Sequence, residues 1–162
     1  MAGVTYQDDG EIREVVEKFE RCQYRAEEFT HARHLTVACW YLCTMSPEEA
    51  LVRMRAGLKR FIAHLGKEGY HETITLFWME LLRDFLGQLP PTTSFTDKTN
   101  DVLGRYGNRD VLYSYYTRDR VLSEAAKQAW MEPDLRPVVG QTGHRKMPGV
   151  KRGKPRLRPI YR

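Results

Sequence analysis

Apolar residues recur at intervals of three and four through the first half of the chain. This is the spacing of helices that bury one face and expose the other. It predicts four main helices, over residues 11–21, 27–45 or 30–45, 47–65 and 70–86. A capping signal supports the third helix, because Ser46 precedes Pro47 at the first helical position and Glu49 follows three residues on.

The second half of the chain carries a weaker helical pattern. Residues 87–99 contain two adjacent prolines and several Thr and Ser residues, which is typical of a loop. Short helices are expected over residues 100–105, 109–116 and 124–130. No strand-like alternation persists. We therefore predict an all-α fold: four main helices in a bundle-like single domain, short C-terminal helices and a disordered basic tail.

Charge divides the chain more sharply than its net value of +5 indicates. Nine of the 26 Lys and Arg residues lie from Leu135 onward without any acid, which leaves 17 basic and 21 acidic residues before that point. We predict a flexible N-terminus over residues 1–10, a helical domain over 11–137 and a basic disordered tail over 138–162. The acidic body argues against a nucleic-acid surface there, whereas the tail is a candidate for non-specific binding of nucleic acid or an acidic partner.

Several absences bear on the compartment. The chain has no apolar run of about 18 residues, so no membrane-spanning helix is predicted. Its first residues lack the pattern of a signal peptide. The three cysteines, Cys22, Cys39 and Cys43, include no Cys-x-x-Cys pair and are expected to be free thiols. These observations together favour a cytoplasmic protein.

Three of the five histidines lie at predicted helix starts, close to carboxylates. His31 and His34 open the second helix. If that helix already exists at Glu27, the three side chains fall within about 60° of each other around its axis. If the helix starts at Thr30, Glu28 reaches the same patch from a loop.

His71 opens the fourth helix on its apolar face, with Glu72 at the flank. Two helix starts that each present an inward histidine can meet at one end of a bundle. Imidazole and carboxylate ligands suit Zn(II) or Fe(II), which activates a bound water or polarises a carbonyl. We therefore predict a transition-metal site, iron or zinc, with the ligands His31, His34, His71 and Glu27.

The catalytic candidates beside this site are Glu28, Glu72 and Arg55. Arg55 lies at the edge of the third helix's apolar stripe, where an arginine either pairs with a carboxylate or holds an anionic group of a substrate. The chain lacks the His-Glu-x-x-His and Glu-x-x-His motifs of bundle metalloproteins. Two metal-free alternatives therefore stay open: a polar pocket with binding or catalytic histidines, and purely structural histidines. A tyrosine cluster suits either a pocket mouth or lid packing: Tyr113, Tyr115 and Tyr116.

Four segments resemble a group of small bacterial all-helical proteins that have no assigned activity. They are Glu27-Glu28-Phe29-Thr30-His31 with His34, Met54-Arg55-Ala56-Gly57-Leu58, Tyr70-His71-Glu72-Thr73-Ile74 with Phe77-Trp78, and Glu132-Pro133-Asp134-Leu135. The resemblance covers roughly residues 15–137. It implies that this stretch is the folding unit, and it transfers neither a substrate nor a catalytic residue.

The leading functional hypothesis is a metal-dependent enzyme that acts on a small polar metabolite. The alternative is a non-enzymatic helical interaction module whose basic tail binds nucleic acid or an acidic partner. The sequence leaves the oligomeric state open.

Overall fold

The computed structural model describes residues 3–138, which form helices connected by short turns and contain no strand. The α-helices are α1 (Asp9–Glu20), α2 (His31–Thr44), α3 (Pro47–His64), α4 (Glu72–Gln88), α5 (Phe95–Tyr106), α6 (Arg118–Val121) and α7 (Glu124–Gln128). A 3-10 helix, Arg109–Ser114, lies between α5 and α6. The prediction of an all-α single domain is confirmed.

Side-chain caps set where these helices begin. The predicted capping box at the start of α3 is confirmed, with the Ser46 hydroxyl accepting from Glu49 N–H and the Glu49 carboxylate accepting from Ser46 N–H. The predicted loop over residues 87–99 is wrong in its second half. Ser94 caps α5 by accepting from Asp97 N–H at 3.1 Å, so this helix begins at Phe95, five residues before the predicted start at residue 100.

Helix α2 is the centre of the fold and packs against α1, α3, α4 and α5. Its residues Leu35, Val37, Cys39 and Tyr41 are at most 1% exposed, although they point in different directions around the helix. A helix that is apolar on all sides has to be covered on all sides. With α5 in contact with α1, α2 and α4, the core includes a fifth helix beyond the four main ones that we predicted.

Tyr6, in the segment before α1, is anchored to this core, although we expected residues 1–10 to be flexible. The Tyr6 ring is buried, and its hydroxyl lies 3.0 Å from Thr36 Oγ1. The Asn100 side chain accepts from Tyr6 N–H and donates to Tyr6 C=O, both at 2.9 Å. Asn100 therefore ties the N-terminal segment to α5.

The short C-terminal helices form a layer over the start of α4. A second apolar cluster joins α4 to this layer: Phe77, Leu81, Leu112, Tyr115, Tyr116 and Val121. The Thr73 hydroxyl donates to Ala129 C=O at 2.8 Å and accepts from Met131 N–H at 3.1 Å. This docking places the 3-10 helix and α6 beside the first turn of α4.

Three predictions concern the remaining parts of the chain. None of the helices in residues 3–138 is both long and apolar enough to cross a lipid bilayer. The three cysteines are free thiols. Cys39 is buried, and Cys43 is exposed. The predicted basic tail lies outside the described residues apart from Val138.

Candidate functional site

A cavity of about 710 Å³ opens where the starts of α2 and α4 meet α3, the 3-10 helix and α6. The three histidines of the predicted site, His31, His34 and His71, all lie on its wall. The carboxylates Glu27, Glu28 and Glu72 do not line it, and neither does Arg55. The three imidazoles thus line one cavity, and their predicted acidic partners do not.

His71 is engaged through both ring nitrogens. It is the N-cap of α4, where its Nδ1 accepts from Ile74 N–H at 3.2 Å. Its Nε2 donates to Val121 C=O at 2.8 Å, at the end of α6. These two bonds require the neutral ring. Burial favours the neutral ring as well, because it lowers the pKa of His71. His71 therefore fastens the C-terminal layer to α4 and contributes its ring face to the cavity wall.

His31 has one ring nitrogen engaged. Its Nε2 donates to Tyr106 C=O at 2.9 Å, which leaves Nδ1 as an acceptor. Its ring centroid lies 4.7 Å from that of Trp78, which also lines the cavity. Burial lowers the pKa of His31, although the bond to Tyr106 acts in the opposite direction.

His34 differs from the other two histidines because neither ring nitrogen has a hydrogen-bond partner within residues 3–138. Every fully buried side-chain N or O atom in that part of the chain does have a partner. The His34 nitrogens are therefore not fully buried, and the side chain lines the cavity. The ring lies against that of Phe29, 4.2 Å between centroids and tilted by 40°, and burial lowers the pKa of His34 to about 4.

The local fold explains why Glu27 and Glu28 do not join the histidines. Helix α2 begins at His31, with Thr30 as N-cap, so the alternative in which Glu27 belongs to the helix is wrong. Both glutamates lie in the preceding turn, where Glu28 accepts from Arg25 N–H at 2.8 Å and Glu27 lies 3.5 Å from the Arg25 guanidinium. The bond from the Arg25 backbone lowers the pKa of Glu28. These carboxylates stabilise a turn on the surface.

Glu72 and Arg55 pair with each other across α3 and α4. Arg55 Nε donates to Glu72 Oε1 at 2.9 Å and to Oε2 at 3.2 Å, and Nη2 donates to Oε1 as well. The Tyr70 hydroxyl donates to Glu72 Oε2 at 2.6 Å. Of the two roles weighed for Arg55, the structure shows the carboxylate pairing. Through the bond to Glu72, this network positions Tyr70, which lines the cavity, although Glu72 and Arg55 do not line it themselves.

The donor set does not fit the predicted metal. Among residues 3–138, no three His, Cys, Asp or Glu side chains form a group able to hold a metal ion. His71 has no nitrogen to offer while it caps α4, and Glu27 lies in another turn. The iron or zinc site stays a prediction.

Sequence reasoning missed most of the cavity mouth. Arg109, Asp110 and Arg118 are exposed residues that line it, from the 3-10 helix and α6. Tyr113 lines it too, with the Arg118 guanidinium 3.9 Å from its ring centroid. The tyrosine cluster therefore divides, since Tyr113 lies at the mouth, while its neighbours at 115 and 116 are buried against Phe77. Helices this short carry no apolar period that would have placed their side chains.

Comparisons with known proteins found no match: no family model, no curated protein and no solved structure is similar to this chain. The cavity has to be interpreted from its own chemistry.

Proposed function

We propose that this protein binds a small organic molecule in the histidine-lined cavity. The observation that carries the proposal is His34, an imidazole on the cavity wall whose two nitrogens have no hydrogen-bond partner within residues 3–138. A neutral imidazole offers one donor and one acceptor, so a bound molecule with a complementary polar group satisfies both.

The rest of the wall suits a molecule with an apolar body. The polar groups occur among side chains such as Leu35, Met54, Leu58, Ile62 and Trp78. The volume of about 710 Å³ falls within the roughly 300–1,000 Å³ common for small-molecule sites. Apolar walls with a few placed hydrogen-bonding groups are the general composition of such sites.

The proposed role is binding, without proton transfer by His34. A general acid or base works best when its pKa lies near the working pH. His34, with a pKa of about 4, is neutral at pH 7 and a weak base. His71 is held by two hydrogen bonds and is not free to exchange its proton. The metal-dependent enzyme and the tail-mediated interaction module both stay predictions from the sequence.

Titration with three neutral probes, phenylacetamide, 2-naphthamide and hexanamide, tests the proposal. Binding of at least one is expected to shift the NMR signals of the His34 and Trp78 rings, with affinity confirmed by calorimetry. Leu58→Trp, which places a larger side chain in the cavity, is expected to abolish the response. Ala38→Leu fills less space and serves if that variant does not fold.

His64→Phe is the matched control for His34→Phe, because His64 is exposed at the end of α3 and does not line the cavity. The control should bind as the natural protein does, whereas His34→Phe should bind more weakly. If no probe shifts either ring, or if the filled variants bind equally well, the proposal is wrong.

A further inference from the structure

Two arginines lie at the mouth of the cavity. Arg109 is the first residue of the 3-10 helix and Arg118 is the first of α6, and both line the cavity. Within residues 3–138 neither guanidinium lies within salt-bridge distance of a carboxylate. Arg118 instead lies over the Tyr113 ring at 3.9 Å, a contact that leaves its N–H groups available.

The charge of this mouth is opposite to that of the body around it. Before Leu135 the chain has 17 basic and 21 acidic residues. On the cavity wall the only described carboxylate is that of Asp110, against two arginines. The wall histidines add no charge at pH 7, because burial lowers the pKa of each. One net positive charge therefore remains at the entrance.

From this arrangement we propose that the bound molecule is an organic monocarboxylate, with its acid group at Arg109 and Arg118 and its apolar body inside the cavity. The inference rests on the proposed function. A planar guanidinium matches a carboxylate with two parallel N–H···O bonds. The single net charge suits a monoanion. A phosphate monoester, which carries about −1.5 to −2 at pH 7, would bring its additional charge close to Asp110.

The arginines are exposed, which limits how much they contribute. Charge-assisted hydrogen bonds are stronger than neutral ones, but contact with water and salt weakens them. We therefore expect a carboxylate to bind about tenfold more tightly than its uncharged amide, a modest share of what fully buried pairs provide.

The test compares phenylacetate with phenylacetamide by calorimetry on the full chain. The natural protein is expected to prefer the acid about tenfold, and that preference should shrink as salt is raised. The double variant Arg109→Gln/Arg118→Gln is expected to lose the preference while it still binds the amide. Arg105→Gln, an exposed arginine of α5 that does not line the cavity, should keep it.

The outcomes separate the two proposals. Equal binding of acid and amide by the natural protein, or a preference that survives in the double variant, would overturn the monocarboxylate while leaving the cavity as a binding site. Tighter binding of phenyl phosphate than of phenylacetate would overturn the monoanion. If neither phenylacetate nor any of the three amide probes binds, the proposed function fails and this inference fails with it.

Discussion

Replacing Glu72 by Gln tests how much the contact between α3 and α4, next to the cavity, depends on one carboxylate. The substitution keeps the shape of the side chain and removes its charge. Arg55 would lose its counter-charge, and the Tyr70 hydroxyl would face an amide in place of a carboxylate. In the natural protein Glu72 accepts from both, at 2.9 Å from Arg55 Nε and 2.6 Å from the Tyr70 hydroxyl. Burial, together with the bond to Glu72, raises the pKa of Tyr70, so the hydroxyl remains a donor.

The expected loss lies between those of exposed and buried ion pairs. The side chains of Arg55 and Glu72 are 23% and 16% exposed. Exposed pairs contribute about 0–1 kcal/mol, and breaking a buried pair costs about 3–5 kcal/mol. For this intermediate pair we expect Glu72→Gln to lower the free energy of unfolding by about 2 kcal/mol. In a domain of this size that corresponds to roughly 5–10 °C in Tm.

Urea unfolding followed by circular dichroism measures the effect. Arg55→Met, Glu72→Gln and the double variant complete a double-mutant cycle, in which we expect a coupling of about 1–2 kcal/mol. Glu14→Gln is the matched control, because Glu14 pairs with Lys18 at 2.8 Å with side chains that are 65% and 45% exposed. It should change stability by less than about 0.5 kcal/mol. A coupling energy between Arg55 and Glu72 no larger than the stability change caused by Glu14→Gln would refute the reasoning.

Two further predictions concern stability. Between pH 7 and pH 5 the free energy of unfolding should fall by about 2 kcal/mol through His34 alone, since its pKa of about 4 in the folded state lies below the ordinary 6.5 and the unfolded chain takes up the proton first. This stabilisation is complete above pH 6.5 and is lost as pH falls toward 4. Urea unfolding at several pH values measures how the free energy of unfolding changes with pH. That change should be steeper in the natural protein than in His34→Phe, and equal changes would contradict the prediction. Gly57→Ala should destabilise the protein by about 1 kcal/mol despite better helix propensity, because the added Cβ would lie 2.8 Å from the Phe19 ring. Gly104→Ala is the control: Gly104 is exposed, no atom lies near its Cβ position, and the substitution should stabilise the protein. If Gly57→Ala does not lower the stability, the Phe19 ring moves aside and the prediction is wrong.

Local signals were sufficient wherever one segment decides its own structure. The capping box at Ser46 was predicted because all its donors and acceptors lie within four residues. The start of α5 had an equally local signal in Ser94 and Asp97, which the two prolines before it obscured. Helix periodicity placed His31, His34 and His71 near helix starts on inward faces, and all three line the cavity.

Glu27 and Glu28 show where such reasoning failed. Their place depended on whether the helix began four residues earlier, and helix boundaries are the least certain part of a sequence-based prediction. Arg25 captures both carboxylates in the turn before α2. Glu72 was placed at the flank of α4, but its partner Arg55 lies on another helix, 17 residues away. Which carboxylate meets which cation is decided by packing between helices.

The sequence by itself determined the all-α class, the main helices and the inward direction of the histidines, because apolar periodicity and caps are properties of single segments. Only the tertiary structure decided what those histidines meet. His71 donates a hydrogen bond to a carbonyl of α6, His31 donates one to a carbonyl of α5, and His34 lines the cavity. The arginines of the mouth come from short helices whose position depends on docking against α4. A site assembled from five separate elements depends on contacts between segments distant along the chain, and these have no period to read.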